Sequence, residues 1–204
     1  MENPVRKIRE KIVELQDELE KSILPKQREF KYRLEQQKVV FEQGVLARHR
    51  LLKMKISKFL RTSKIGAILT APVIYSLIIP FALTDLFITV YQSICFPVYR
   101  IPKVKRGDYV VMDRKYLAYL NWIEKMNCIY CEYVNGVISY TREIASRTEQ
   151  FWCPIKHARK VKDPHARYYD FIDYGDTENY RDKLNDQRDK CRACETPCGG
   201  EEKP

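Results

Sequence analysis

The chain has 204 residues, room for one ordinary domain plus accessory segments, and a formal charge of +10. Of its 37 basic and 27 acidic residues, eleven and one lie between positions 46 and 106, which leaves 26 of each sign elsewhere. The excess thus flanks one apolar stretch instead of covering a domain face among stacking aromatics; this sets nucleic acid aside as a partner and points to anionic lipid headgroups.

The opening MENPVRKIREKIVELQDELEK lacks a basic region followed by an apolar run, so no cleaved signal peptide is expected. Val5, Ile8, Ile12, Leu15 and Leu19 alternate at steps of three and four between charged residues. That is the narrow seam of a short coiled coil or of a helix docked on a partner. Pro25 interrupts it, because the residue before a proline is pushed out of helical geometry. A second helix is expected from about Gln27 into the fifties, carrying Phe30, Leu34, Phe41, Val45 and Leu52. Residues 1–45 therefore read as a supporting helical hairpin.

LARHRLLKMKISKFLRTSK, 46–64, holds Arg48, Arg50, Lys53, Lys55, Lys58, Arg61 and Lys64 with no acid, interleaved with Leu51, Leu52, Met54, Ile56, Phe59 and Leu60. A basic amphipathic helix of this kind lies in the headgroup layer with its cations snorkelling outward. A calmodulin-type target helix would look alike, but the adjoining apolar run favours lipid. His49 is expected in the headgroup layer.

IGAILTAPVIYSLIIPFALTDLFITVYQSICFPV, 65–98, carries one charged residue in 34. It is too long for one crossing of roughly 20 residues and too short for two. Pro72, Pro80 and Pro97 break it, and Asp85 sits near its middle. In one reading residues from Ile65 to about Thr84 cross and the rest follows the far interface. In the other, which we prefer, the segment dips into the bilayer, turns near Pro80 to Asp85 and returns. Arg100, Lys103, Lys105 and Arg106 after the run match the seven cations before it, and the positive-inside bias then keeps both termini cytoplasmic. The turn would need its freed backbone groups satisfied, and Asp85 would need a partner, for instance from a second copy.

RGDYVVMDR, 106–114, suggests a short strand. From Lys115 to Trp152 steps of three and four hold through most of the run, a helical pattern. Residues 163–190 are rich in Asp, Tyr and Arg and read as a wrapping segment ending in a short polar helix. Residues 107–190 are taken as a Cys/His module and 191–204 as a disordered tail.

Seven cysteines, four of them in C-x-x-C pairs, favour thiols or metal ligands in a reducing compartment over a disulfide framework. Cys128 and Cys131 form one pair. Cys153 and His157, four apart, would share a helix face, and together the four make a Cys3His set of the kind that closes around structural zinc. Were 116–152 one straight helix, however, Cys131 and Cys153 would stand about 33 Å apart at ~1.5 Å per residue. The shared site therefore needs a reversal at Asn135-Gly136, a dipeptide that favours tight turns, yet the periodicity runs straight through that glycine. Cys191, Cys194 and Cys198 in the tail supply a second metal or redox set, with iron as an alternative to zinc. Cys153 with His157 as nucleophile and base is weakened by the intervening Pro154 and by the lack of an orienting acid. Glu132, Glu143 and Glu149 form no Glu-x-x-His pair and read as exposed helix charges pairing with Arg142 and Arg147. There is no glycine-rich phosphate loop, and His165 is read as a loop residue.

The stretch LNWIEKMNCIYCEYVNGVISYTREIASRTEQFWCPIKHARKVKDPHARY, with its words NCxYC and EQxWCPIKHAR, resembles a family of uncharacterised bacterial membrane-associated proteins. That resemblance covers about the central quarter and implies a bacterial source and no known activity. The chain as a whole is expected to be mainly α and membrane-attached, with both termini in the cytoplasm. Its expected role is a non-enzymatic adaptor or scaffold with a zinc-binding module, partnered by a second copy or another membrane protein. The rival reading is a membrane-associated redox or electron-transfer protein using a Cys128/Cys131 dithiol or an iron site.

Overall fold

The computed structural model describes residues 11–12, 14–15, 17–19, 21–22, 32–35, 38–41 and 43–193. The chain is mainly α-helical. Among the described residues six helices are bounded: α1 Gln43–Leu51, α2 Ile56–Thr62, α3 Ile65–Ser76, α4 Ile78–Tyr99, α5 Trp122–Trp152 and α6 Tyr180–Ala193. Two short strands, β1 Tyr32–Glu35 and β2 Lys38–Phe41, pair antiparallel with Tyr32 opposite Phe41 and Leu34 opposite Val39. The described residues between 11 and 21 are helical; Val5, Ile8 and Phe30 lie outside the described residues.

Several sequence expectations change here. The helix expected from about Gln27 starts only at Gln43, with β1 and β2 before it. The single basic helix over 46–64 is instead α1, an irregular 52–55 and α2. The strand expected at 106–114 is absent, replaced by 3-10 turns at Arg106–Asp108 and Arg114–Tyr116. No turn occurs at Pro80 to Asp85, because α4 runs through those positions. α3 and α4 together make one bent apolar helix, Ile65–Tyr99, of 35 residues. The bend falls at Leu77, one turn ahead of Pro80, where the proline ring and its missing N–H disturb the preceding turn. Hydroxyls inside the apolar helix are satisfied locally: Thr70 donates to the Gly66 carbonyl (2.9 Å) and Ser76 to that of Val73 (2.7 Å).

The chain divides into two compact units. One contains Glu18–Leu83 and Gly107–Val137. Here α5 starts with a reciprocal cap: the Asn121 side chain accepts from the Glu124 N–H (3.0 Å), and the Glu124 carboxylate accepts from the Asn121 N–H (2.8 Å). Further along α5, a Cβ on Gly136 would lie 2.8 Å from the Tyr109 carbonyl oxygen and from the Val110 Cα. The glycine therefore lets the 109–110 backbone cross α5 at close range; it does not end the helix. One turn earlier, buried Glu132 accepts from the Arg114 backbone N–H at 3.0 Å, with the Arg114 guanidinium 3.5 Å away.

The other unit contains, among described residues, part of the N-terminal helical stretch, Thr84–Arg106 and 138–193. Its core is Phe96, Ile101, Val104, Tyr140, Ile144, Phe151, Phe171, Ile172, Leu184 and Cys191. α4 ends in a Schellman arrangement: the Ile101 N–H reaches back to the Phe96 carbonyl (2.8 Å), the Arg100 N–H reaches that of Pro97 (3.2 Å), and Arg100 takes a left-handed φ of 59°. The chain then doubles back along α4. Val104 exchanges two backbone hydrogen bonds with the buried Gln92 side chain, at 3.0 and 3.2 Å. Gln92 also bonds the Tyr140 hydroxyl. α5 docks on α4 through a Tyr91–Thr148 hydroxyl pair (3.0 Å) and through Phe151, which stacks on Tyr99 and takes the guanidinium groups of Arg188 and Arg192 over its ring.

Candidate membrane-contacting surface and the cysteine positions

The apolar helix Ile65–Tyr99 is long and apolar enough to cross a membrane, and only 6% of its most apolar 18-residue window is buried. A core helix of similar composition would be mostly covered, so the exposure is the informative feature. Leu69, Val73, Phe87, Ile94 and Val98 are each at least 64% exposed. Every cation of the flanking group before it, Arg48, Arg50, Lys53, Lys55, Lys58, Arg61 and Lys64, is exposed, beside exposed Leu51 and Leu52. After it, Arg100, Lys103 and Lys105 are exposed. Arg106 is the exception: its guanidinium grips both carboxylate oxygens of Asp85, at 2.7 to 3.2 Å. The sequence called for a partner to Asp85 and offered a second copy; the partner found lies within the chain, brought back by the Schellman turn. His49 stands edge-on between the rings of Phe41 and Tyr119, at 5.2 and 5.1 Å.

The four proposed zinc ligands do not assemble in one chain. α5 is continuous from Trp122 to Trp152, so Cys131 and Cys153 are held about 33 Å apart by a rise of ~1.5 Å per residue. The Asn135-Gly136 reversal that the shared site required is not made. Cys153 and His157 do not share a helix face either: α5 ends at Trp152, and Ile155 leaves it to pair with Ile172, the Lys156 N–H donating to the Ile172 carbonyl at 2.8 Å. His157 stacks on Tyr168, and its backbone N–H donates to the Tyr168 hydroxyl at 2.7 Å. Among the described residues no group of three His, Cys, Asp or Glu side chains is arranged to hold a metal.

Cys128 and Cys131 share one face of α5, half-buried and exposed respectively, more than a turn beyond its N-terminus and thus away from the amide dipoles that activate many C-x-x-C thiols. Cys191 is buried, its thiol directed at the Arg147 carbonyl at 3.6 Å, as in a structural cysteine. Cys194 and Cys198 lie outside the described residues. Burial, helped by the charge of Glu149, pushes the Cys153 thiol above its ordinary range, opposite to what a nucleophile needs.

The acidic residues taken for exposed helix charges are more structural than the sequence suggested. Glu143 sits between two buried arginines, accepting from Arg147 Nε at 2.9 Å and Arg167 Nη1 at 2.8 Å. Arg147 also donates to the Pro102 carbonyl at 2.7 Å. Burial alone would raise the Glu143 pKa, but the hydrogen bonds and charges of Arg167 and then Arg147 outweigh it and hold the carboxyl below its usual range. Arg142 pairs instead with Asp163, and Glu149 with His165 Nε2 at 2.9 Å. Gln92, a hydrogen-bonding residue in an otherwise apolar run, is the one signal in the sequence that this part of the run faces protein. No family model, curated protein or solved structure matches the chain.

Proposed function

We propose that the chain is a membrane-attached, non-enzymatic adaptor that holds the 138–193 module against a bilayer carrying anionic headgroups. The observation that supports this most directly is an apolar helix left almost wholly uncovered and bracketed by ten exposed cations. Apolar surface of that extent is rarely left to water, and cations at its edges gain from an anionic surface. Cations on both flanks favour a cytoplasmic face, and free thiols at Cys95, Cys128, Cys131 and Cys153 fit a reducing compartment. The module is built for cohesion, with buried, paired charge at Glu143, Arg147 and Arg167, and it offers a second copy or another membrane protein a fixed surface. Expression of the full chain followed by fractionation tests the reading. The protein is expected in the membrane pellet through a high-salt wash and in the supernatant only after detergent. Recovery in the soluble fraction without detergent contradicts it.

A further inference from the structure

Resting on the membrane reading, we infer that the unit holding Thr84–Arg106 and 138–193 has a bilayer-docking face of its own. It is the outer stripe of 84–99, formed by Leu86, Phe87, Val90, Ile94 and Val98 and laid along an anionic bilayer surface. Covered and bare residues of this stretch separate by helical position. Asp85, Ile88, Gln92, Phe96 and Tyr99 recur at steps of three and four, and all are buried or half-buried. The opposite stripe keeps the same steps and is open, from 45% exposed at Val90 to 73% at Val98. It is apolar, with exposed Thr84 and Ser93 at its margins. A helix side of this kind, backed by protein and bare of polar groups, suits the boundary between headgroups and acyl chains.

Two features inside this unit choose the orientation and the occupant. Gln92 lies at the middle of 84–99, and its side chain exchanges two hydrogen bonds with the Val104 backbone, at 3.0 and 3.2 Å. Exposed Lys103 and Lys105 therefore stand level with the middle of the stretch. Set upright in a bilayer, residues 84–99 would carry both ammonium groups into hydrocarbon, where ionisable side chains are costly. Laid flat, the stripe enters the acyl boundary and the lysine stems reach the headgroups. The exposed charged residues of 84–105 are Arg100, Lys103 and Lys105, all positive, and the single acid there, Asp85, is held by Arg106. A second copy docked symmetrically through this stripe would set the patch against itself, cation near cation. An anionic bilayer complements both the stripe and its cations.

Depth-dependent quenching tests this on the full chain. Exposed Trp122 and Trp152 are replaced by phenylalanine, and single tryptophans are introduced as Phe87→Trp, Ile94→Trp or Val98→Trp. Each variant is floated with vesicles of phosphatidylglycerol and phosphatidylcholine brominated at defined chain positions. The expected result is quenching of all three at one shared shallow depth, about 5–10 Å into the acyl boundary. An upright helix would instead spread positions 87 and 98 over about 16 Å of depth, and such a gradient overturns the docking face. Protein that floats with all three tryptophans unquenched, whether bare or covered by a second copy, also overturns it and leaves the membrane reading standing. Protein that does not float overturns both. Should the variants fail to fold, the wild-type chain is irradiated in vesicles whose phospholipid carries a diazirine either near the glycerol or at the acyl terminus. Adducts on 86–98, located by mass spectrometry, are expected to be several-fold more abundant from the shallow probe. A predominance from the deep probe, or no adduct in that stretch, sinks the inference.

Discussion

At the scale of single residues, two positions carry consequences that their neighbours do not. Glu143 is shared by Arg147 and Arg167 at 2.9 and 2.8 Å, so Glu143→Gln removes the carboxylate between two buried guanidinium groups. Breaking such a pair costs roughly 3–5 kcal/mol, and a loss at the lower end of that range is expected in denaturant unfolding of the detergent-solubilised protein. The folded pKa of Glu143 lies below its unfolded value of about 4.3. Its stabilisation is therefore full above that value and fades as pH falls through the lower folded one. Unfolding midpoints measured between neutrality and strong acid should show this limb in the wild type and a weaker one in the variant. Gly136 is the second position. Alanine there gains up to about 1 kcal/mol of helix propensity, but its Cβ would meet the Tyr109 oxygen and the Val110 Cα at 2.8 Å. Because both obstacles are backbone, displacement should dominate, and Gly136→Ala is expected to lower stability by roughly 1–2 kcal/mol net. An unchanged or raised unfolding midpoint would mean that the 109–110 segment yields freely.

At the scale of elements, the end of α4 sets the path of the chain beyond it. Arg100 occupies a left-handed position that glycine normally takes, and that conformation costs a non-glycine residue on the order of 1 kcal/mol. Arg100→Gly is expected to raise the unfolding midpoint while weakening attachment to anionic vesicles slightly, since one exposed cation is lost; a lowered midpoint would contradict the assignment of strain. The same elements show how much could be read in advance. The apolar helix was legible because 34 residues with one charge admit few other fates, and its flanking cations are exposed as expected. Its prolines misled: Pro80 falls in the first turn of α4, where a missing N–H is tolerated, so it bends the helix without reversing it. The periodicity from Lys115 onward did identify α5, but Asn135-Gly136 carries a turn signal as well, and only the backbone crossing at Tyr109 explains the glycine without one. The four residues of the Cys3His pattern are not brought together within the chain for the same reason, since spacing in sequence becomes distance along a continuous helix. β1 and β2 escaped notice because Leu34, Phe41 and Val45 also fit steps of three and four. The Asp85–Arg106 grip depends on a reversal at Arg100 that no local motif announces.

For the whole molecule, the decisive relation is between an uncovered apolar helix and the cations at its ends. The bare apolar residues of the helix, only 6% buried over its most apolar stretch, discourage exposure to water. Under the proposed attachment, a bilayer would cover these residues and its headgroups would meet the flanking cations. In the proposed attachment anionic lipid would contribute roughly 1 kcal/mol per cation that reaches it, so attachment is expected to depend on lipid charge and on ionic strength. Flotation of the purified full-length chain with vesicles is the most direct measurement. The protein is expected to rise with phosphatidylglycerol-containing vesicles and to do so less with vesicles of phosphatidylcholine alone. Protein that stays at the bottom of the gradient with both would contradict attachment through this helix.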